Sequence, residues 1–122
     1  MPRSKPAETI FGKRLRESRL RAGIAQDKLG VMIGLDEGSS SARISRYETG
    51  IHEPTVSLAE KMADILHIPL AYFYCPDDEL AGFIRDIGTL DRKGRMRLRA
   101  WLDEVVGGGT SDCVPIDPAK WS

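Results

Sequence analysis

Ala25-Gln26-Asp27-Lys28-Leu29-Gly30, followed by Gly34-Leu35 and then by Ala42-Arg43-Ile44-Ser45-Arg46-Tyr47-Glu48-Thr49-Gly50, is the stretch that decides the fold. Gln26 opens a short helix that runs to about Ile33, turns Leu29 and Ile33 inward and ends at Gly34. Ser40 is a credible N-cap for the next helix, Ser41 to about Glu48, with Gly50 beyond its end. This second helix of the pair carries small and cationic side chains on its outer face. A helix of that character fits the major groove of DNA, which is about 12 Å wide.

Outward from this pair, the helical period continues in both directions. Upstream, Phe11, Leu15, Ser18 and Ala22 recur at helical spacing between about Glu8 and Ala22, and Gly23 stops that first helix. Downstream, Pro54-Thr55 starts a fourth helix whose Leu58, Met62, Ile65 and Leu66 form an inward stripe. Pro69 begins a short fifth helix, Leu70 to Tyr74, which closes the core with Leu70 and Phe73, and Pro76 is the natural boundary. Beyond it, a sixth helix over Asp78–Ile87 lines up Leu80, Phe83, Ile84 and Ile87. Asp91 can cap a seventh, Arg92–Val106, with the stripe Leu98, Trp101, Leu102 and Val105, before Gly107-Gly108-Gly109 breaks it. No strand pattern and no internal repeat is visible. The expectation is an all-α protein with a five-helix core and two additional C-terminal helices. Residues 1–7 read as a flexible basic arm, 8–75 as the core domain, 76–106 as a helical extension and 107–122 as a flexible tail.

Composition narrows the function classes. The 122 residues are 41% hydrophobic, enough for a core. No apolar run approaches the roughly 20 residues needed to span a bilayer. Met1-Pro2-Arg3-Ser4-Lys5-Pro6 has no apolar stretch of the secretory kind, so a cytoplasmic protein without a membrane partner is expected. Cys75 and Cys113 are the only cysteines, which make no disulfide framework and are read as free thiols. Two histidines and two cysteines show no metal-ligand spacing, and no glycine-rich phosphate loop or nucleophile turn is present. The sequence therefore predicts no enzyme, no metal and no cofactor. Asp77-Asp78-Glu79 reads as first-turn acids complementing a helix dipole rather than as a cation site.

The formal net charge of zero hides a strong asymmetry. Residues 1–50 carry +4, residues 51–91 carry −6 and residues 92–122 carry +2. The positive end coincides with the helix pair, where the phosphates of a nucleic acid would be met.

Several motif positions occur together, and the chain resembles the Xre family of phage repressor/Cro-like helix-turn-helix regulators over roughly residues 8–75. The resemblance implies a repressor-like five-helix core and a transcriptional regulator, here a repressor, binding double-stranded DNA at a pseudo-palindrome as a homodimer. Gln26 stands where the family's glutamine reaches a backbone phosphate at a helix N-terminus. Arg19 and Glu48 match a structural ion pair that braces the first helix against the third. Ile44 matches the buried anchor of the recognition helix, and counting from it places the base-reading positions on Ser41, Ala42 and Arg46. Arg46 is the strongest of these, because a guanidinium matches guanine O6 and N7 with two parallel donors. Ser40, Arg43 and Ser45 lie near enough for phosphates. His52, in the loop expected to follow the sugar-phosphate backbone, is a phosphate donor or an uninvolved surface residue.

Three departures from the family pattern stand out. Ala25 replaces the usual Ser or Thr cap, and Gly30 replaces the small alanine that packs on the third helix. The turn is longer by about four residues, Asp36-Glu37-Gly38-Ser39, read either as a loop or as an extension of the third helix. The loop is favoured, because Gly38 and the serines are turn and cap residues. The stripe Leu98, Trp101, Leu102 and Val105 is surplus to a five-helix core and is expected to mediate dimerisation, the alternative being an intramolecular hairpin. A rival function is an antitoxin-type interaction module with a protein partner, which the same superfamily includes.

Overall fold

The structure, a computed structural model, describes residues 9–107. They form six α-helices and one 3-10 helix, with no strand among the described residues. The helices are α1 (Ile10–Ala22), α2 (Gln26–Met32), α3 (Ser40–Thr49), α4 (Val56–Leu66), α5 (Asp78–Gly88) and α6 (Arg92–Gly107). The short fifth element of the sequence reading, Leu70–Tyr74, is the 3-10 helix. The all-α class holds, with the fifth element tighter than an α-helix.

Local chemistry sets the helix ends. Thr9 and Thr55 cap α1 and α4, their hydroxyls accepting from the amides of Gly12 and Leu58 at 3.0 and 3.2 Å. Asp77 caps α5 by accepting from the Leu80 amide at 2.9 Å. Such caps satisfy amides that would otherwise lack partners and are worth about 1 kcal/mol each. Ala25 precedes α2 with no side-chain cap, as its methyl group requires.

The long turn is a loop. The Ser39 amide donates to the Asp36 carbonyl at 3.1 Å and the Gly38 amide to Asp36 Oδ2 at 3.2 Å, so Asp36 organises a turn with its own side chain. The third helix begins only at Ser40. Leu35, just before the loop, packs on the core and anchors its entry.

The core is the set of stripes facing one another. Phe11 and Leu15 of α1, Leu29 of α2, Ile44 and Tyr47 of α3, Ala59 and Met62 of α4, and Phe73 are all buried. Phe11 and Phe73 meet as a tilted ring pair with centroids 4.7 Å apart. Each such large side chain contributes about 1.5–3 kcal/mol on burial. Ala22, although in phase with Phe11 and Leu15, is exposed.

The chain divides into two compact units at Thr89–Leu90. The first unit therefore extends past the expected boundary at residue 75 and takes in α5. Ala81 of α5 is buried with Tyr72 and Cys75, and Ile84 packs on the same cluster. Arg14 ties this region to α1: its guanidinium donates to the Cys75 carbonyl from Nη2 at 2.8 Å and from Nε at 3.2 Å. Its Nη1 lies 2.8 Å from Asp78 Oδ1, and its guanidinium carbon sits 5.4 Å from the centroid of the Tyr72 ring. In the second unit α6 is the one described helix, and no residue of it is buried. The expected arm 1–7 and residues 108–122 of the expected tail, with Cys113, lie outside the described residues; Gly107 is the last residue of α6.

Candidate nucleic-acid interface

Helices α2 and α3 pack closely because two side chains are small where they cross. A Cβ on Gly30 would stand 1.9 Å from Ser40 Oγ and 2.9 Å from Ser40 Cβ. Ser40 fills the space that Gly30 leaves, and its hydroxyl donates to the Asp27 carbonyl at 2.5 Å. The replacement of alanine by Gly30 is thus matched by a serine at position 40. A parallel contact holds α1 to the end of α3, where a Cβ on Gly12 would stand 2.4 Å from the Glu48 carbonyl oxygen.

This geometry corrects the reading of Ser40 as a cap and phosphate contact. The residue is completely buried, and Ser39 occupies the N-cap position without a side-chain bond to the helix amides, its hydroxyl donating instead to the Asp36 carbonyl. The period places Ser40 on the same face as Ile44 and Tyr47, so its side chain points into the α2–α3 seam.

Glu48 is where three helices meet. Arg19 donates to it from Nε (2.5 Å to Oε2) and from Nη2 (3.2 Å to Oε1). Arg19 Nη1 also donates to the Ile24 carbonyl at 3.0 Å, closing the α1–α2 turn. Gln26 Nε2 donates to Glu48 Oε1 at 3.1 Å, and Ser41 Oγ donates to Gln26 Oε1 at 3.3 Å. The structure therefore brings Arg19, Gln26, Ser41 and Glu48 into one chain of hydrogen bonds. Gln26 is held by its own protein at both ends of its amide. That engagement was not legible in the sequence, because it depends on how α2 and α3 cross.

The outer face of α3 presents Ser41, Ala42, Arg43 and Arg46, all exposed, with Ser45 half-buried beside them. Arg43 Nη2 donates to the Tyr47 hydroxyl at 3.0 Å, one turn along. Arg43, Arg46, Tyr47, His52 and Glu53 line a cleft of about 350 Å³ between α3 and the loop that follows it. The loop is held there by the His52 amide, which donates to the Arg46 carbonyl at 3.2 Å. Gly50 ends α3 with φ 83°, the left-handed conformation that lets the chain reverse. Tyr47 and Glu53 were missed as lining residues. The spacing of Tyr47 from Arg43 was a usable signal for the former; nothing local signals the latter.

The positive charge of the first fifty residues is smaller in practice than the count of side chains. Arg14 and Arg19 are 3% and 8% exposed and already paired within the protein. The exposed cations of the helix pair itself are Lys28, Arg43 and Arg46. Nearby, burial and then the charge of Glu53 raise the Tyr74 phenol above its ordinary range, so it stays a neutral hydroxyl.

A helix pair crossed through Gly30 and Ser40, with a small and cationic outer face on its second member, defines a helix-turn-helix protein. The comparisons with known proteins agree. A helix-turn-helix family model matches residues 15–73. The solved structure of the transcriptional regulator BswR superposes with a TM-score of 0.77 at 38% identity, covering 80% of this chain and 96% of that one. Two HTH-type transcriptional regulators, of Sinorhizobium medicae and Rhizobium meliloti, are each 29% identical over 69 residues, 57% of this chain. The match spans 47% of those relatives, so the chain corresponds to about half their length. The chain belongs to the Xre-like helix-turn-helix family of transcriptional regulators. Among the described residues no helix is long and apolar enough to cross a membrane.

Proposed function

We propose that this protein binds double-stranded DNA sequence-specifically through α3 and represses transcription from a pseudo-palindromic operator as a homodimer. The observation that carries the reading is the outer face of α3, where Ser41, Ala42 and Arg46 stand clear of the core while Ile44 and Tyr47 anchor the helix behind them. Arg46 reads a guanine, Ala42 lies against a thymine methyl and Ser41, whose proton goes to Gln26, accepts from a base-edge amino group through its free lone pairs. Arg43, Ser45 and His52 meet phosphates along the cleft beside the helix, and Gln26 does so from the N-terminus of α2. Ser40 is removed from this set by its burial.

Gln26 acts differently from a free phosphate donor. With its amide fixed between Glu48 and Ser41, it presents to DNA an orientation set in advance, which lowers the ordering cost of the contact.

The homodimer reading rests on exposed apolar surface in α6, where Trp101 and Val105 are 58% and 57% exposed beside the half-buried Leu98 and Leu102. Two copies would place two α3 helices on half-sites about 34–36 Å apart, or a multiple of that. The test is selection of bound sequences from random duplexes, followed by sedimentation of the complex. Recovery of an inverted repeat bound by two chains is the expected result. Recovery of no consensus removes the sequence-specific reading, and a one-chain complex on a single half-site removes the homodimer.

A further inference from the structure

The charges along α6 run against its own dipole. Arg92, Lys93, Arg95, Arg97 and Arg99 occupy the first half of the helix, with Asp103 and Glu104 in the second. Its first turn holds no acid and its last turn no base. Cations are disfavoured at a helix N-terminus and acids at its C-terminus. Asp91 relieves part of this by accepting from the Gly94 amide at 2.7 Å. The pair of Arg99 with Asp103, 2.9 Å apart, has the base N-terminal to the acid, the weaker order for that spacing. An isolated α6 would be stabilised by the opposite arrangement.

Resting on the homodimer reading above, we propose that α6 pairs antiparallel with α6 of a second copy. In that orientation the cationic half of each helix faces the acidic half and the negative dipole end of the other, and the unfavourable pattern becomes complementary. A parallel pair would set like charges side by side along its whole length. The register follows from the stripe: Leu98 of one helix opposes Trp101 of the second copy, and the reverse, about a two-fold axis between them. Val105 then opposes Gly94, over which the apolar side chain of Leu90 lies. Arg97 and Glu104, both exposed, flank the stripe and meet their counterparts across the seam in two symmetric ion pairs. Charges at such flanking positions set partner orientation more than affinity.

The test uses the full chain with Cys113→Ser, and carries Arg97→Cys and Glu104→Cys on separate preparations. Mixed and mildly oxidised, they are expected to form the mixed 97–104 disulfide, with neither variant cross-linking to itself. Val105→Cys, which would meet its own copy only in a parallel pair, should not cross-link alone. Separately, Arg97→Glu and Glu104→Arg should each weaken self-association about tenfold at low salt, and an equimolar mixture should restore it. Circular dichroism on each variant confirms the helical fold. Self-cross-linking of Val105→Cys in a protein that sediments as a dimer overturns the antiparallel orientation while leaving the homodimer standing. A chain that stays monomeric at tens of micromolar overturns both.

Discussion

At the scale of single residues, the consequential finding is that cationic side chains close in sequence do unlike work. Arg46 is exposed on the outer face of α3, while Arg19 is buried against Glu48. Arg46→Ala should leave folding intact, cost about 1–3 kcal/mol on the preferred duplex and relax preference at one base pair, measured by competition titration with single-base variants. Unchanged preference with the fold confirmed would remove the base contact. Arg19→Ala should instead destabilise the protein by about 3–5 kcal/mol in denaturant unfolding, because it strands a buried carboxylate. Little loss of stability would show that Glu48 is satisfied without its arginine. The family resemblance implies the pair; Gln26 as the second partner of Glu48 was not legible, since that contact depends on how α2 and α3 cross.

Between elements, the α2–α3 crossing depends on two residues whose pairing the sequence does not show. Gly30 reads as packing on the third helix and Ser40 as its cap, yet the two meet each other. Gly30→Ala should be destabilising despite its better propensity, because the added methyl group meets Ser40 Oγ. Adding Ser40→Gly should recover much of the loss, and a double-mutant cycle by thermal unfolding checks the coupling. Strict additivity of the two changes would refute it. The α1–α5 contact offers a pH counterpart. Hydrogen bonding to Arg14, then to Lys13, lowers the pKa of the exposed Asp78 carboxyl below its ordinary 3.8. Its contribution to stability is therefore present above the unfolded-state value and lost as pH falls through the depressed folded one. Asp78→Asn should flatten that part of the acid limb of a stability-versus-pH curve, and an unaltered limb would mean the contact carries no linkage.

Across the whole molecule, charge asymmetry is real but partly consumed by the fold. With Arg14 and Arg19 committed internally, the salt dependence of DNA binding should reflect Arg43 and its exposed neighbours rather than all the basic residues of the first half. Log K should fall linearly with log salt at about −0.9 per phosphate contact, and Arg43→Gln should reduce that slope by about one contact. A slope unchanged in that variant would move the phosphate contact elsewhere. The compact unit extending to Thr89 also carries a practical consequence. Truncation after Cys75 removes Asp78 and Ala81 from their contacts with Arg14, Tyr72 and Cys75, so a folded core is better sought by ending at Thr89.

What the sequence determined by itself is the order and ends of the helices, the identity of most core side chains and the outward face of α3. These follow from a 3.6-residue period, cap chemistry and glycine punctuation, all local in the chain. Only the tertiary structure decided where Ser40 points, what holds Gln26, that Arg14 binds the Cys75 carbonyl across 61 residues and that α5 joins the first unit. Periodicity reports that a residue faces a neighbouring element, but not which atom of that element it meets. A buried polar side chain is determined by the partner that satisfies it, and that partner is brought within reach only when the helices cross.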